Sequence, residues 1–180
     1  GPTGIGCLLV KKSIMEKMAP FMTGGSMIRT VTTEGSTFQE GHAMFETGTP
    51  RIAEAIGWGA AVEWLDKFEM TDIHSHVQEL ASWTAGEMRK IPGIRIYGNP
   101  EDREGSGAVS FLHDSIQSLD LALFLDEGGF AVRTGHHCAQ PLMDALNVPS
   151  TNRISFWIYN TMDEAKMFIE YLNYVVERFS

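Results

Sequence analysis

The residues best suited to chemistry lie around Cys138. The stretch from 132 to 141 reads V-R-T-G-H-H-C-A-Q-P, so this thiol follows two histidines, His136 and His137, and lies five residues after Arg133. Positively charged or protonatable neighbours enlarge the thiolate fraction of a cysteine, and the thiolate is the nucleophile. The stretch therefore predicts a reactive thiol. A buried, inert cysteine is the alternative, because most free cysteines are of that kind.

A metal site and a redox pair are two further interpretations of the same stretch. The adjacent residues His136, His137 and Cys138 can supply at most two ligands without strain, and no second Cys or His cluster has structural zinc spacing. The other cysteine, Cys7, lies in the apolar run G-I-G-C-L-L-V at 4–10, which predicts a buried strand. We therefore expect no metal, and exchange with a resolving cysteine is disfavoured.

Two more residues suggest ligand binding. Arg153, in T-N-R-I-S-F, begins an apolar and aromatic strand. Its planar guanidinium is suited to bind a carboxylate through two parallel hydrogen bonds, with an ordinary surface arginine as the alternative. Thr49, in F-E-T-G-T-P, precedes a predicted helix. A hydroxyl and free N–H groups at a helix start attract phosphate, with helix capping as the alternative.

The composition is that of a globular protein. The chain has 180 residues, 43% of them hydrophobic and 21% charged. Its net charge of −9 argues against nucleic-acid binding, which depends on clustered Lys and Arg. No stretch is long and apolar enough to cross a bilayer, and two cysteines indicate no disulfide framework. We expect a soluble, cytoplasmic protein that binds neither nucleic acid nor membrane.

The elements that must position these residues follow from periodicity and from Gly and Pro punctuation. The segment 20–48 is rich in Gly, Thr and Ser and predicts a loop with at most one strand. The part after about residue 70 predicts a small α+β unit. Helices are predicted at 12–18, 50–68, 71–90 with Thr71 as N-cap, 117–127, 140–146 and 162–179, and strands at 4–10, 94–97, 108–112, 130–133 and 152–158.

Five motifs along the chain resemble one family. They are G-P-T-G-I-G at 1–6, G-G-S-M-I at 24–28, F-E-T-G-T-P at 45–50, R-T-G-H-H-C-A-Q-P at 133–141 and R-I-S-F-W-I-Y-N-T at 153–161. In this order they resemble the SufS-type (group II) cysteine desulfurases, in the class V branch of fold type I pyridoxal phosphate enzymes. The resemblance implies an α/β and α+β fold. Residues 1–69 would be the end of the cofactor-binding large domain with its linking helix, and 70–180 the small C-terminal α+β domain.

The resemblance also implies a role for each candidate residue in the small domain. Cys138 would be the catalytic nucleophile that takes sulfur from L-cysteine as a persulfide, with L-alanine as co-product. Arg153 would clamp the substrate carboxylate, and Arg133 would lie at the mouth of the site. His136 and His137 would aid proton transfer or thiolate formation, and their order of importance stays open.

The cofactor implied by the resemblance is pyridoxal phosphate. Thr49 would reach its phosphate in the neighbouring subunit, which makes a homodimer part of the site. In the family the Schiff-base lysine lies three residues before G-P-T-G, and neither Lys11 nor Lys12 can replace it, because both follow the predicted strand. We therefore expect the C-terminal portion of a desulfurase, with the attachment lysine outside this chain and little activity by itself.

The resemblance leaves the biological role partly open. A cysteine desulfurase of this type would feed iron-sulfur cluster assembly through a sulfur-acceptor protein of the SufE or SufU type. One alternative is a selenocysteine lyase, which shares the motifs and takes L-selenocysteine. Another, from a different class, is a non-catalytic persulfide carrier or dimerisation module.

Overall fold

The computed structural model describes residues 1–100, 102 and 105–179. It divides into two compact units, Gly1–Lys67 and Phe68–Ser180. Each unit has its own helices and strands.

The first unit has little regular structure before its long helix. It contains helix α1 (Lys12–Met15), a hairpin of strands β1 (Ile28–Val31) and β2 (Ser36–Phe38), a 3-10 helix (Gly41–Phe45) and helix α2 (Ile52–Leu65). The two strands pair antiparallel. Met27, directly before the hairpin, is fully buried and accepts a hydrogen bond on its sulfur from the Thr47 hydroxyl.

Two predictions for this unit are wrong. Residues 4–10 form no strand, and Leu8 and Leu9 are 79% and 96% exposed. Cys7 is likewise exposed rather than buried in a core. An apolar run becomes a strand only where a second strand supplies hydrogen-bond partners, and no strand among the described residues does so. The predicted loop at 20–48 contains two strands instead of at most one.

The second unit is a four-stranded sheet with helices. Its strands are β3 (Ile94–Tyr97), β4 (Ala108–His113), β5 (Arg133–Gly135) and β6 (Thr151–Ser155), in the sheet order β3-β4-β6-β5. All three strand pairs are antiparallel. The helices are α3 (Met70–Met88), α4 (Ser118–Glu127), α5 (Gln140–Leu146) and α6 (Met162–Phe179).

The core of this unit lies where α3, α4 and α6 meet the sheet. Val109 and Phe111, two residues apart on β4 and hence on one face, are buried, as are Leu121 on α4 and Phe168 on α6. The ring of Phe168 contacts that of Phe111 edge-on, with centroids 6.4 Å apart. This apolar face fixes the register of the strands that carry the candidate site.

The C-terminal end of helix α4 explains where strand β5 begins. Helix α4 ends at Gly128 and Gly129, as predicted, and Gly129 is left-handed with φ 84°. The Phe130 N–H donates to the Leu125 carbonyl at 2.9 Å, the long bond of a Schellman motif. Phe130 therefore belongs to the helix end, and the strand lies at 133–135 instead of 130–133.

Helix α3 begins earlier than predicted. Its N-cap position is Glu69, whose side chain makes no capping bond, so the prediction that Thr71 is the N-cap is wrong. Apolar side chains at helical spacing along α3 pack into the core, and this packing extends the helix beyond the strongest local start signal.

Candidate active site

Two neighbouring strands bring the arginines of the candidate site together. In the antiparallel pair of β5 and β6, Arg133 lies opposite Arg153, and Gly135 lies opposite Thr151. Residues directly opposite each other in such a pair project from the same face of the sheet. The pairing therefore places the two arginines opposite each other on one face of the sheet.

Cys138 lies in a tight turn between β5 and α5. His137 and Cys138 both have left-handed backbones, with φ of 56° and 60°, a conformation that costs non-glycine residues energy. The Ala139 N–H closes the turn by donating to the His136 carbonyl at 2.9 Å. The turn presents Cys138 as an exposed, free thiol, so the alternative that this cysteine is buried is wrong.

Arg133 is the cation nearest to this thiol among the contacts of the described residues. Its Nη2 donates to the Cys138 Sγ at 3.6 Å. A guanidinium is permanently charged and cannot accept a proton in exchange. The contact therefore places a permanent positive charge directly beside the sulfur.

His137 is fastened to strand β6. Its Nε2 lies 2.9 Å from the Thr151 Oγ1 and 3.0 Å from the Thr151 carbonyl oxygen. Because a carbonyl only accepts, Nε2 must carry the hydrogen, and neutral His137 has a bare Nδ1. That Nδ1 is buried and has no hydrogen-bond partner among the described residues. Thr151 itself is only 1% exposed.

The surroundings of His137 favour its neutral form. Burial lowers the pKa of His137 below its ordinary value, and the positive groups of Arg153, Arg133 and His136 lower it further. The hydrogen bond to the Thr151 backbone raises the pKa of His137, but its effect is smaller than that of burial. His136, in contrast, is exposed on the turn.

Arg153 faces a cavity of about 390 Å³. The cavity has a mainly apolar wall that includes Tyr97, Leu142 and Leu146. The Arg153 Nε is buried and unpartnered among the described residues. A buried donor on a cation is costly unless an acceptor pairs with it. The arrangement is therefore suited to a carboxylate bound by Arg153.

His137 links this cavity to the thiol. It lines both the cavity beside Arg153 and an adjoining open cleft of about 580 Å³ that also contains Cys138, Arg133 and His136. The structure thus brings five of the six predicted site residues together in the second unit.

The sixth predicted residue, Thr49, lies in the first unit. It is exposed on the wall of a cleft of about 930 Å³, together with Ser26, Gly48 and Arg51. Hydroxyl groups and a guanidinium are the usual partners of a phosphate. The donors on this wall fit the phosphate of a cofactor such as pyridoxal phosphate.

Within residues 1–100, 102 and 105–179, no three His, Cys, Asp or Glu side chains are grouped closely enough to hold a metal ion. Over the same residues, no helix combines the length and apolar character needed to span a membrane.

Thr151 is the residue of this site that the sequence analysis missed. It begins strand β6 and contacts His137, which lies 14 residues earlier in the chain. One local signal is present: Thr151 is a polar residue two positions before Arg153, and alternate residues of a strand share a face. That signal places Thr151 beside Arg153 but does not identify His137 as its partner.

Comparisons with known proteins match the whole length of this chain. Residues 1–168 match the family model of class V aminotransferases. The chain is 42% identical over 180 residues to a cysteine desulfurase of Haloferax volcanii, and 44% identical to a probable cysteine desulfurase of Staphylococcus aureus. It covers 42% and 43% of the lengths of these two proteins, so it spans less than half of each.

Solved structures agree with these relatives. A cysteine desulfurase of Escherichia coli in an S-sulfonic acid form overlaps with a TM-score of 0.94 at 34% identity, over 100% of this chain and 44% of that one. The apo cysteine desulfurase of Thermococcus onnurineus overlaps with a TM-score of 0.94 at 31% identity, over 99% and 44%. The predicted fold class, α/β with α+β as in fold type I enzymes, is confirmed.

Proposed function

Because this chain belongs to the class V aminotransferase family, we propose that it carries the sulfur-accepting half of a pyridoxal phosphate-dependent cysteine desulfurase of the SufS type. Residues 1–69 are the end of the cofactor-binding domain with its linking helix, and residues 70–180 are the small domain with the catalytic turn. The homology to cysteine desulfurases across all 180 residues supports this proposal.

One observation carries the proposal more than any other. An exposed thiol, Cys138, lies in a left-handed turn beside the permanently charged Arg133. The neighbouring strand carries a second arginine, Arg153, whose buried Nε has no hydrogen-bond partner within the described part of the chain. A nucleophilic sulfur and a carboxylate-binding cation side by side are what sulfur abstraction from an amino acid requires.

The sulfur transfer uses Cys138 as the nucleophile. Its anionic sulfur attacks the sulfur of bound L-cysteine, and a sulfur–sulfur bond forms as the carbon–sulfur bond of the substrate breaks. The two electrons of the broken bond stay on the substrate carbon, which takes up a proton and leaves as L-alanine. The product on the enzyme is a persulfide, a reversible state of an accessible cysteine.

The other small-domain residues bind and orient the substrate. Arg153 holds the substrate carboxylate through its guanidinium, and Arg133 stabilises the anionic sulfur before and after transfer. His136 is the better candidate for moving a proton, because it is exposed on the turn and not tied to a neighbouring strand. His137 is held by Thr151, so we assign it to the geometry of the turn.

The cofactor site belongs to the first unit. When bound, pyridoxal phosphate withdraws electrons from the substrate and lets its carbon–sulfur bond break. Thr49 would contribute its hydroxyl to the cofactor phosphate, and Arg51 lines the same cleft. We further propose that Thr49 serves the site of a neighbouring subunit, so the protein acts as a homodimer.

The sulfur is destined for iron-sulfur cluster assembly in this proposal. The persulfide on Cys138 passes to an acceptor protein of the SufE or SufU type in the cytoplasm, and the exposure of the turn supports direct contact with such an acceptor. L-cysteine is the proposed substrate. The rate of sulfide release from L-cysteine, compared with the rate of selenide release from L-selenocysteine, separates a desulfurase from a selenocysteine lyase.

The test uses the product of the complete reading frame that encodes this chain. Loaded with pyridoxal phosphate and supplied with a thiol reductant that frees sulfide from the persulfide, it should release sulfide from L-cysteine. Cys138→Ala should abolish that release while the visible absorbance of the cofactor remains. The matched control is Cys7→Ser, which should leave turnover unchanged. Sulfide release by the Cys138→Ala variant at the original rate would overturn the proposal, and a purified product that binds no cofactor would favour the persulfide-carrier alternative.

A further inference from the structure

We infer that Thr151 is a positioning residue for the sulfur-accepting turn, because its hydroxyl and carbonyl hold the His137 ring and thereby keep Cys138 beside Arg133. The inference rests on the proposed function for its biological meaning. The contacts that carry it are independent of substrate and cofactor, and so is its test.

The turn needs a support because its backbone is strained. His137 and Cys138 occupy left-handed conformations in succession, with φ of 56° and 60°. Side chains with a Cβ rarely adopt this region unless surrounding contacts compensate. Ala139, the N-cap of helix α5 after the turn, makes no side-chain capping bond, so no capping side chain supports the turn there.

The His137 side chain supplies the missing support. Its Nε2 contacts the Thr151 hydroxyl at 2.9 Å and the Thr151 carbonyl at 3.0 Å. Thr151 is 1% exposed and lies in strand β6. One ring nitrogen therefore ties the turn to a buried residue of an interior strand, away from competing water.

The same strand carries the second element of the site. Arg153 lies two residues after Thr151 on the same face of β6, and it lies opposite Arg133 of the neighbouring strand β5. A single strand thus fixes the sulfur through Thr151 and His137, and the substrate carboxylate through Arg153. This shared frame sets the distance between nucleophile and substrate, on which reaction rates depend steeply.

A positioning role and a proton-transfer role for His137 make different predictions. A glutamine carries a donor NH₂ at about the reach of the histidine Nε2 but cannot titrate near neutral pH. His137→Gln should therefore preserve a support and destroy a proton carrier. His137→Leu removes both functions and is the matched control for loss of the bond.

The experiment measures how fast iodoacetamide alkylates Cys138 at neutral pH in the 180-residue chain, with Cys7→Ser as background so that one thiol remains. Thr151→Val removes the hydroxyl and keeps the side-chain shape. Because Cys138 is already exposed, loosening the turn adds little access and mainly separates the sulfur from Arg133. We expect alkylation about threefold slower, because the change acts through the Arg133 contact and its effect cannot exceed the loss of that contact.

Rescue and coupling sharpen the test. Thr151→Ser and His137→Gln should stay within about twofold of the parent, whereas His137→Leu should be at least as slow as Thr151→Val. In an Arg133→Gln background, Thr151→Val should have little further effect, because the two changes act on one contact. Circular dichroism and melting temperature show whether each variant is folded. If Thr151→Val does not fold, Thr151→Ser and His137→Gln still test the inference.

Three outcomes would overturn the inference: an unchanged rate in Thr151→Val, a His137→Gln variant as slow as His137→Leu, or independent effects of Thr151→Val and Arg133→Gln. Failure of the proposed function gives a different result. In that case the complete product releases no sulfide from L-cysteine, although the alkylation pattern across these variants is as described.

Discussion

Replacing Arg133 by glutamine tests whether this arginine activates the thiol. Its Nη2 lies 3.6 Å from the Cys138 Sγ, and both residues are exposed. Coulomb's law in bulk water gives about 1.2 kcal/mol for two unit charges at this distance. Exposed pairs contribute at most about 1 kcal/mol once side-chain entropy and screening are included. Arg133→Gln should therefore slow a reaction of anionic Cys138 about threefold to fivefold.

The assay is iodoacetamide alkylation of the chain that carries Cys7→Ser, followed by intact mass spectrometry. The difference between parent and Arg133→Gln should shrink at about 1 M salt, where the Debye length is about 3 Å. Arg95→Gln is the matched control, because Arg95 lies on β3 at the opposite edge of the sheet and pairs with Asp114. Equal alkylation rates for parent and Arg133→Gln, or a rate difference that does not change with salt concentration, would refute the proposed activation.

Three further predictions follow from the same structure. Arg153→Ala in the complete, cofactor-loaded product should raise the KM for L-cysteine by roughly tenfold to a hundredfold. This range corresponds to the loss of about 1.5 to 3 kcal/mol for a hydrogen bond to a charged group. An unaltered KM would contradict the carboxylate clamp. The pKa of His137 is lowered in the folded chain, so on acidification the unfolded chain takes up this proton before the folded chain does, and the free energy of unfolding should fall as pH drops below about 6.5. In His137→Gln, chemical denaturation should show a weaker fall of this free energy with pH. An identical pH dependence in parent and variant would contradict the lowered pKa of His137. Phe168→Ala removes a buried ring between Phe111 and Phe130 and should lower the free energy of unfolding by about 3 to 5 kcal/mol, whereas a loss below about 1 kcal/mol would contradict the described core.

Local patterns predicted the long helices well. Helix α6 has the predicted bounds because its apolar residues recur at helical spacing and are buried, for example Phe168, Leu172 and Val175. Strand 4–10 failed for the opposite reason. Apolar sequence reports a preference for burial, whereas a strand also needs a partner that lies elsewhere in the chain.

The candidate site shows the same division between local and distant information. Arg133 and Cys138 lie only five residues apart, and the predicted proximity of this arginine to the thiol agrees with their contact, because a short turn leaves them little freedom to separate. The contact between His137 and Thr151 was not predictable in this way. It depends on the register of β5 against β6, which the packing of the whole sheet determines.

The most direct measurement locates the transferred sulfur. The complete product, loaded with pyridoxal phosphate, is incubated with isotopically labelled L-cysteine in the absence of a reductant, and its peptides are analysed by mass spectrometry. We predict one labelled sulfur added to Cys138 and none to Cys7. Labelled sulfide released at full rate with Cys138 unmodified, or a persulfide found on Cys7 alone, would contradict the account.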